Sequence, residues 1–211
     1  MSQPFLPLWH IETDDPVYAL TFDDGPHPEI TPKLLDVLDR KGVQATFFLL
    51  GERALEYPGL VAQIAERGHG IGSHGFRHSW NWWRTPDTLA RDLDRSERIL
   101  AGVLREPKLC RPPYGMASPQ WLSAARGHGY RTVLWSLGSG DWKYTSPGRI
   151  VRRVRRRLRP GAIVLFHECR AETGNGYRHT LEAVSQLLEE ESVLRPANLH
   201  KLIAKESMLV P

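Results

Sequence analysis

The sequence has few cysteines, no long apolar run and no basic N-terminal start ahead of an apolar stretch. Cys110 and Cys169 are too few for a disulfide framework, so we expect reduced thiols. The longest apolar run, residues 45–50 with a threonine included, is far shorter than a bilayer span. Met1–Pro4 does not begin a secretory signal. This predicts a cytoplasmic protein, or an extracytoplasmic one if the sequence lacks its native leader.

The residues that are present suit one globular domain over residues 1–211, with 41% hydrophobic and 25% charged residues. Much of the net charge of +4 lies in Arg149–Arg159, which holds seven arginines. Ile150, Val151, Val154 and Leu158 recur there at helical spacing, which places the arginines on the opposite face. That face is either a solvated outer surface or a contact for an anionic partner such as a membrane surface. Nothing beyond charge favours nucleic acid, so we expect none.

Short apolar strands alternate with amphipathic helices along the chain, which predicts parallel βαβ units with right-handed crossovers. Four helices are expected to begin with a Ser or Thr cap followed by proline, at Thr31, Thr85, Ser118 and Ser146. Two further helices are expected over residues 58–67 and 179–190. The predicted strands cover residues 17–22, 44–50, 69–73, 108–111, 130–137 and 162–166.

Reactive side chains follow the ends of five different predicted strands, as expected at the carboxyl-end face of a (β/α) barrel. The chain is shorter than the roughly 250 residues of a complete barrel. We therefore expect an α/β fold with about seven parallel strands and outer helices, forming a distorted or incomplete (β/α) barrel. The residues concerned are Asp23 and Asp24, His74, Arg111, Asp141 and His167.

Two adjacent carboxylates, Asp23 and Asp24, stand directly before a Gly-Pro turn. They either belong to a structural Asp-Gly turn or project into one site, where a cation would relieve their repulsion. His74 and His78 can face the same side of a helical turn and bind one metal. One aspartate and two histidines leave a fourth position open, which is typical of a catalytic divalent metal with zinc favoured. The other aspartate is then free to act as a base.

The segment Arg111-Pro112-Pro113-Tyr114-Gly115 either ends a strand or serves the same site. Because proline has no N–H, the first backbone donor after Arg111 is that of Tyr114, and a rigid donor near a metal suits an oxyanion. Arg111 is placed to pair with the free aspartate and keep it ionised.

A histidine at the end of the last apolar strand, His167, is either a packed core residue or a proton donor to a leaving group. Asp141 is placed to orient that histidine, and Trp142 is placed to form one wall of the site. Trp80, Trp82 and Trp83 add aromatic faces on which sugars stack, although packing is the commoner use of a tryptophan.

Together these motifs resemble those of the polysaccharide deacetylase family (carbohydrate esterase family four), over about residues 17–168. The resemblance implies a distorted (β/α) barrel and metal-dependent removal of N-acetyl groups from an aminosugar oligo- or polysaccharide, whether chitooligosaccharide, peptidoglycan or lipid-linked sugar. It implies a divalent ion, Zn²⁺ or else Co²⁺ or Ni²⁺. The implied roles are Asp24, His74 and His78 as metal ligands, Asp23 as base, Arg111 as its partner, Tyr114 as backbone oxyanion donor, His167 as acid, Asp141 as its tuning residue, and Leu165 and Trp142 as the acetyl pocket.

The sequence departs from the usual family pattern at Ser79, Gly138 and Glu168, where proline, an acid and aspartate are common. None of these changes removes a reactive group.

Two alternatives remain: an allantoinase-like, metal-independent amidohydrolase of the same fold, and a non-catalytic carbohydrate-binding protein. Trp80 and Tyr114 are further expected to touch substrate, and the arginine face of residues 149–159 to suit a membrane-surface or lipid-linked substrate.

Overall fold

The computed structural model describes residues 6–143, 145–189 and 192–209. Seven parallel strands form a curled half-barrel with helices around it, which confirms the predicted α/β distorted barrel. The seven strands are β1 (Val17–Asp23), β2 (Thr46–Leu49), β3 (Gly70–Ser73), β4 (Leu109–Cys110), β5 (Arg131–Thr132), β6 (Leu137–Gly138) and β7 (Ile163–His167), and an eighth is β8 (Arg195–Ala197). Their order is β5-β4-β3-β2-β1-β7-β6, and the additional short strand β8 pairs with the beginning of β1.

Eight α-helices are found in the described part of the chain, and none of them is both long and apolar enough to cross a membrane. The second and last helices, like β8, were not predicted. The predicted last residue of the seventh helix, Glu190, and the N-terminal segment Met1–Pro4 lie outside the described residues. The helices are α1 (Ile30–Arg40), α2 (Gly51–Glu56), α3 (Pro58–Glu66), α4 (Pro86–Leu100), α5 (Pro119–Gly127), α6 (Pro147–Arg155), α7 (Arg178–Glu189) and α8 (Leu199–Leu209).

Two of the four predicted N-caps are confirmed. The hydroxyl of Thr85 accepts from the N–H of Thr88, and that of Ser118 accepts from the N–H of Trp121. Ser146 makes no such bond within the described residues. The cap predicted at Thr31 is wrong, because this residue lies buried inside α1.

The strands are buried on both faces, since helices cover the outside of the half-barrel and side chains fill its inside. On the outer face the rings of Phe22, Phe47 and Phe166, from β1, β2 and β7, pack with centroids 5.2 and 5.8 Å apart. Ala19 and Phe48 belong to the separate inner cluster. This explains why β1 and β7 appear in the sequence as continuous apolar runs rather than as alternating patterns.

The predicted single strand over residues 130–137 is wrong. The chain forms β5 beside β4, leaves the sheet, and returns as β6 beside β7, at the opposite end of the strand order. Leu8 occupies part of the space between them: it bridges to Val133, and its carbonyl accepts from the N–H of Leu134. The prediction failed because an apolar run indicates only that a segment is buried. A segment that crosses the inside of an unclosed barrel is buried just as a strand is.

Candidate functional site

A cavity of about 560 Å³ lies at the carboxyl ends of the strands, where the sequence places its reactive side chains. Arg111 and Asp141 do not line it but lie buried behind two residues that do. Trp80 also lies outside the lining and is 64% exposed. Of the predicted residues, those that line the cavity are Asp23, Asp24, His74, His78, Tyr114, Trp142, Leu165 and His167.

One carboxylate and two imidazoles converge in this cavity. Asp24 Oδ1 lies 3.4 Å from Nε2 of His74 and 3.6 Å from Nε2 of His78. One atom from each residue can be chosen so that all three lie within 4.8 Å of one another. Asp24 Oδ1 is buried and has no hydrogen-bond partner among the described residues, as expected of an atom that completes a metal's coordination. Three N and O donors in this arrangement fit a divalent ion.

The two neighbouring aspartates separate because the backbone turns left-handed between them. Asp23 is the last residue of β1, and Asp24 has a φ of +70°, a conformation that aspartate tolerates better than most residues. Both side chains therefore reach the cavity while making different contacts. The alternative of a purely structural Asp-Gly turn does not describe this geometry.

The predicted histidine pair stands on an irregular loop, so the expected helical turn is wrong. Gly75 follows β3 with a φ of +84°, and the N–H of Phe76 donates to Asp92 at 2.9 Å, which fixes the loop. His74 is oriented by a 2.8 Å hydrogen bond between its Nδ1 and the carbonyl of Arg111, leaving Nε2 to face Asp24. A carbonyl on one ring nitrogen is the usual way in which proteins orient a metal-binding histidine.

Burial and charge set the ionisation of this cluster. Burial alone would raise the pKa of Asp24, but the facing histidines, His74 first, outweigh it and lower that pKa below its ordinary value. Burial and the neighbouring His74 lower the pKa of His78. Near neutral pH the cluster therefore favours a carboxylate and a neutral imidazole at His78, which are the forms that bind metals.

Asp23 is held by a buried arginine. Arg111 Nη1 donates to Asp23 Oδ1 at 2.7 Å and to Thr21 Oγ1 at 2.9 Å. Its other nitrogens donate to the carbonyls of Val133 and Leu134 at 3.3 and 2.9 Å. The predicted pairing of Arg111 with Asp23 is confirmed, and each of the three guanidinium nitrogens donates at least one hydrogen bond at a position without solvent exposure.

His167 is the register partner of Asp23 on the neighbouring strand β7, and it is held by Asp141. The carboxylate accepts from Nδ1 of His167 at 2.8 Å and from the N–H of the same residue at 2.7 Å. Thr180 and the N–H of Trp142 donate to it as well, at 2.9 and 3.0 Å. Burial would lower the pKa of His167, but Asp141 outweighs it and raises that pKa to about 9. The imidazole therefore carries a proton at neutral pH.

Tyr114 forms the rim of the cavity. It lies in a 3₁₀ turn over Pro113–Gly115 with a φ of +58°, so the segment predicted to be stiff is also locally strained. Its ring lies 4.2 Å from that of His78 and stacks on Trp80 at 4.5 Å with an angle of 17° between the planes. Trp80 thus extends the aromatic rim outward from the cavity.

Sequence reasoning missed several lining residues, above all Glu172. Its Oε1 accepts from the hydroxyl of Tyr114 at 3.2 Å and lies 3.7 Å from Nδ1 of His78. Trp135 comes from the segment that was mistaken for a strand. The loop between β7 and α7 lies at the carboxyl end of a strand, and this position was the available signal for its residues Arg170, Ala171, Glu172 and Tyr177.

Comparison with known proteins matches residues 10–133 to the polysaccharide deacetylase family. The chain belongs to the polysaccharide deacetylase family. It is 34% identical over 184 residues to a peptidoglycan-N-acetylglucosamine deacetylase of Bacillus cereus, covering 86% of this chain and 84% of the relative. It spans 62% of a second B. cereus protein of that name.

Other members of the polysaccharide deacetylase family extend the likeness. A chitooligosaccharide deacetylase of Azorhizobium caulinodans is 33% identical over 71% of this chain and 72% of its own length. A solved structure of a peptidoglycan N-acetylglucosamine deacetylase, in complex with 4-naphthalen-1-yl-N-oxidanyl-benzamide, superposes with a TM-score of 0.84. It is 32% identical and the match covers 92% of this chain and 91% of that one.

Proposed function

We propose that this chain is a single catalytic domain that hydrolyses N-acetyl groups of an aminosugar oligo- or polysaccharide. The observation that carries the proposal is the joint placement, around one cavity, of the Asp24, His74 and His78 cluster, the Arg111-held Asp23 and the Asp141-held His167. The relatives named above act on peptidoglycan N-acetylglucosamine and on chitooligosaccharide, and these are the substrate classes we propose for this chain.

Asp24, His74 and His78 would hold a divalent ion, for which zinc suits the donor set best. When bound, such an ion acts as a Lewis acid that polarises a carbonyl and lowers the pKa of water towards about 7. Asp23 accepts a proton from the water that attacks the acetyl carbon, and Arg111 keeps this carboxylate ionised and in place. The backbone N–H of Tyr114 donates to the oxygen that gains charge.

His167 then gives its proton to the sugar nitrogen as the carbon–nitrogen bond breaks, and the products are acetate and the free amine. Asp141 supports this step by holding the imidazole in its protonated form and in one orientation. Leu165 and Trp142 line the cavity and suit the acetyl methyl group and the sugar face, while Trp80 and Tyr114 supply a stacking surface at the rim.

The test is acetate release from N-acetylated chitooligosaccharides by the metal-loaded protein, before and after treatment with a chelator and after zinc is restored. We expect the chelator to abolish acetate release and zinc to restore it. The Asp23→Asn variant is expected to bind zinc but to release no acetate. Release that the chelator leaves unchanged would instead support the metal-independent amidohydrolase. Zinc binding with no turnover on a broad aminosugar panel would support a non-catalytic binding protein.

A further inference from the structure

A second concave surface lies next to the catalytic cavity. It encloses about 450 Å³ between the edge of β6 and helix α6. We call it the basic groove, because its lining contains three arginines and no acidic side chain. Its lining residues are Trp135, Ser136, Leu137, Gly138, Arg153, Arg157, Arg159 and Ala162.

The positive charges of the arginines in the basic groove are accessible to a ligand. Nε of Arg153 donates to the carbonyl of Gly138 at 2.8 Å, which anchors the guanidinium beside β6. Arg157 and Arg159 are exposed. Among the ion pairs within the described residues, none joins any of these three to an acidic side chain. Three positive charges on one concave surface, none of them paired with an acidic side chain in the described part of the chain, attract an anion.

Gly138 keeps the floor of the basic groove open without being required there by packing. A Cβ at this position would come no closer than 3.5 Å to its surroundings, the nearest atom being Nε1 of Trp135. The backbone is also outside the left-handed region that favours glycine. A side chain, including a carboxylate, is therefore sterically acceptable at residue 138, and this gives a direct way to neutralise the groove.

Trp135 connects the basic groove to the catalytic cavity, since it contributes to the wall of both. We propose that the basic groove binds a phosphate or diphosphate group carried by the aminosugar whose N-acetyl group occupies the cavity. This rests on the proposed function. Guanidinium groups match phosphate oxygens with paired N–H donors, and three positive charges are balanced better by a multiply charged phosphate than by one carboxylate.

The binding test uses the metal-loaded full chain and isothermal titration calorimetry with glucose 1-phosphate, which has no acetyl group to lose. Methyl glucoside serves as the uncharged control ligand. We expect saturable binding of the phosphate that Arg157→Gln combined with Arg159→Gln weakens at least about tenfold. Arg152→Gln combined with Arg156→Gln is the matched variant, because it removes equal charge from the same helix segment outside the groove lining. This variant is expected to bind as the wild type does.

Gly138 supplies a second pair of variants. Gly138→Asp places a negative charge in the basic groove and is expected to weaken phosphate binding at least as strongly as the double arginine change. Gly138→Ala adds volume without charge and is expected to leave binding within about twofold of wild type. Circular dichroism and thermal unfolding check that all variants fold.

The kinetic test compares N-acetylglucosamine 1-phosphate with methyl N-acetylglucosaminide. The Arg157→Gln, Arg159→Gln variant should lose kcat/KM about tenfold for the phosphorylated substrate only. Absence of deacetylation of these two sugars and of N-acetylated chitooligosaccharides, with groove-dependent phosphate binding retained, would count against the proposed function and leave the basic groove as a phosphate site.

Three results would overturn the basic groove as a phosphate site. One is the absence of saturable glucose 1-phosphate binding. Another is equal weakening by the Arg152, Arg156 variant, which would show a diffuse charge effect. The third is binding to vesicles of phosphatidylglycerol without binding to the sugar phosphate, which would assign the arginine face to a membrane surface.

Discussion

Nδ1 of His167 lies 2.8 Å from Oδ1 of Asp141, and the same carboxylate accepts three further hydrogen bonds. Asp141 is buried and does not line the cavity, so it acts on substrate through the residues that it holds, which are His167 and the backbone of Trp142. Its negative charge keeps the imidazole protonated well above the ordinary pKa of 6.5. The activity of the protein should therefore depend on pH in a way that a single substitution can move.

Wild-type kcat/KM is expected to fall as pH rises through about 9, the pKa of His167, because the imidazole must hold a proton to give to the leaving amine. Asp141→Asn removes the charge that raises this pKa. The alkaline limb should then move to or below pH 6.5, with a loss of at least about tenfold at pH 8. Thr180→Val keeps the carboxylate and should move the limb only slightly. An unmoved limb in Asp141→Asn would contradict the assignment.

Metal binding should distinguish the two adjacent aspartates. Zinc at a concentration about a hundredfold above its Kd is expected to stabilise the wild-type fold by about 2.7 kcal/mol, measured as a rise in Tm. Asp24→Asn should lose most of this rise, because it removes the carboxylate that faces both imidazoles. Asp23→Asn should keep it, since Asp23 is bound to Arg111 instead. An equal loss of zinc stabilisation in both variants would contradict the assignment of Asp24 as the single carboxylate ligand.

Glu172 should strengthen the metal site through the negative charge that it places beside His78. Its Oε1 lies 3.7 Å from Nδ1 of His78, the ring nitrogen that does not face Asp24. Glu172→Gln is expected to weaken the binding of Co²⁺ to the metal-free protein about tenfold. The titration is monitored by the visible absorption of bound cobalt. Tyr114→Phe removes only the hydroxyl that donates to Glu172 and should change affinity little. Unchanged affinity in Glu172→Gln would leave Glu172 as a rim residue only.

Glu168 should make stability depend on pH. It is fully buried, and burial raises its pKa from 4.5 to about 8. Between these values the folded state binds more protons than the unfolded state, so the free energy of unfolding should fall as pH rises from about 4.5 and level off above about 8. Glu168→Gln removes this titration and should flatten the profile, measured by urea unfolding at pH 5 to 8. A profile identical to wild type would show that the carboxyl is already ionised in the fold.

The convergence of the site was predictable because it depends on one rule of topology. Parallel strands bring their carboxyl ends to one face, so Asp23, His74 and His167 could be placed together without knowing a single distance. The pairing of Arg111 with Asp23 also followed from charge and position. Assignment to the polysaccharide deacetylase family agrees with this, since the matched residues 10–133 include most of the motifs.

What the sequence could not provide was the path of the chain between elements. An apolar run such as Val133–Leu137 records burial and does not say which strand, if any, it pairs with. Thr31 shows the same limit for a local motif. It precedes a proline as a cap does, yet its hydroxyl lies inside the protein, where it accepts from the N–H of His27 and donates to Glu168. Tertiary contacts decided both cases.

The left-handed turn at Asp24 has a consequence for any attempt to redesign this centre. Two identical amino acids stand side by side, yet Asp23 is bound to Arg111 while Asp24 faces the imidazoles. Nε2 of His74 lies closer to Asp24, at 3.4 Å, than to Asp23, at 3.9 Å. Lengthening the side chain in Asp23→Glu therefore disturbs the contact with Arg111 first, whereas Asp24→Glu disturbs the contacts with the imidazoles first. Chemically conservative exchanges at these neighbours should produce unlike defects.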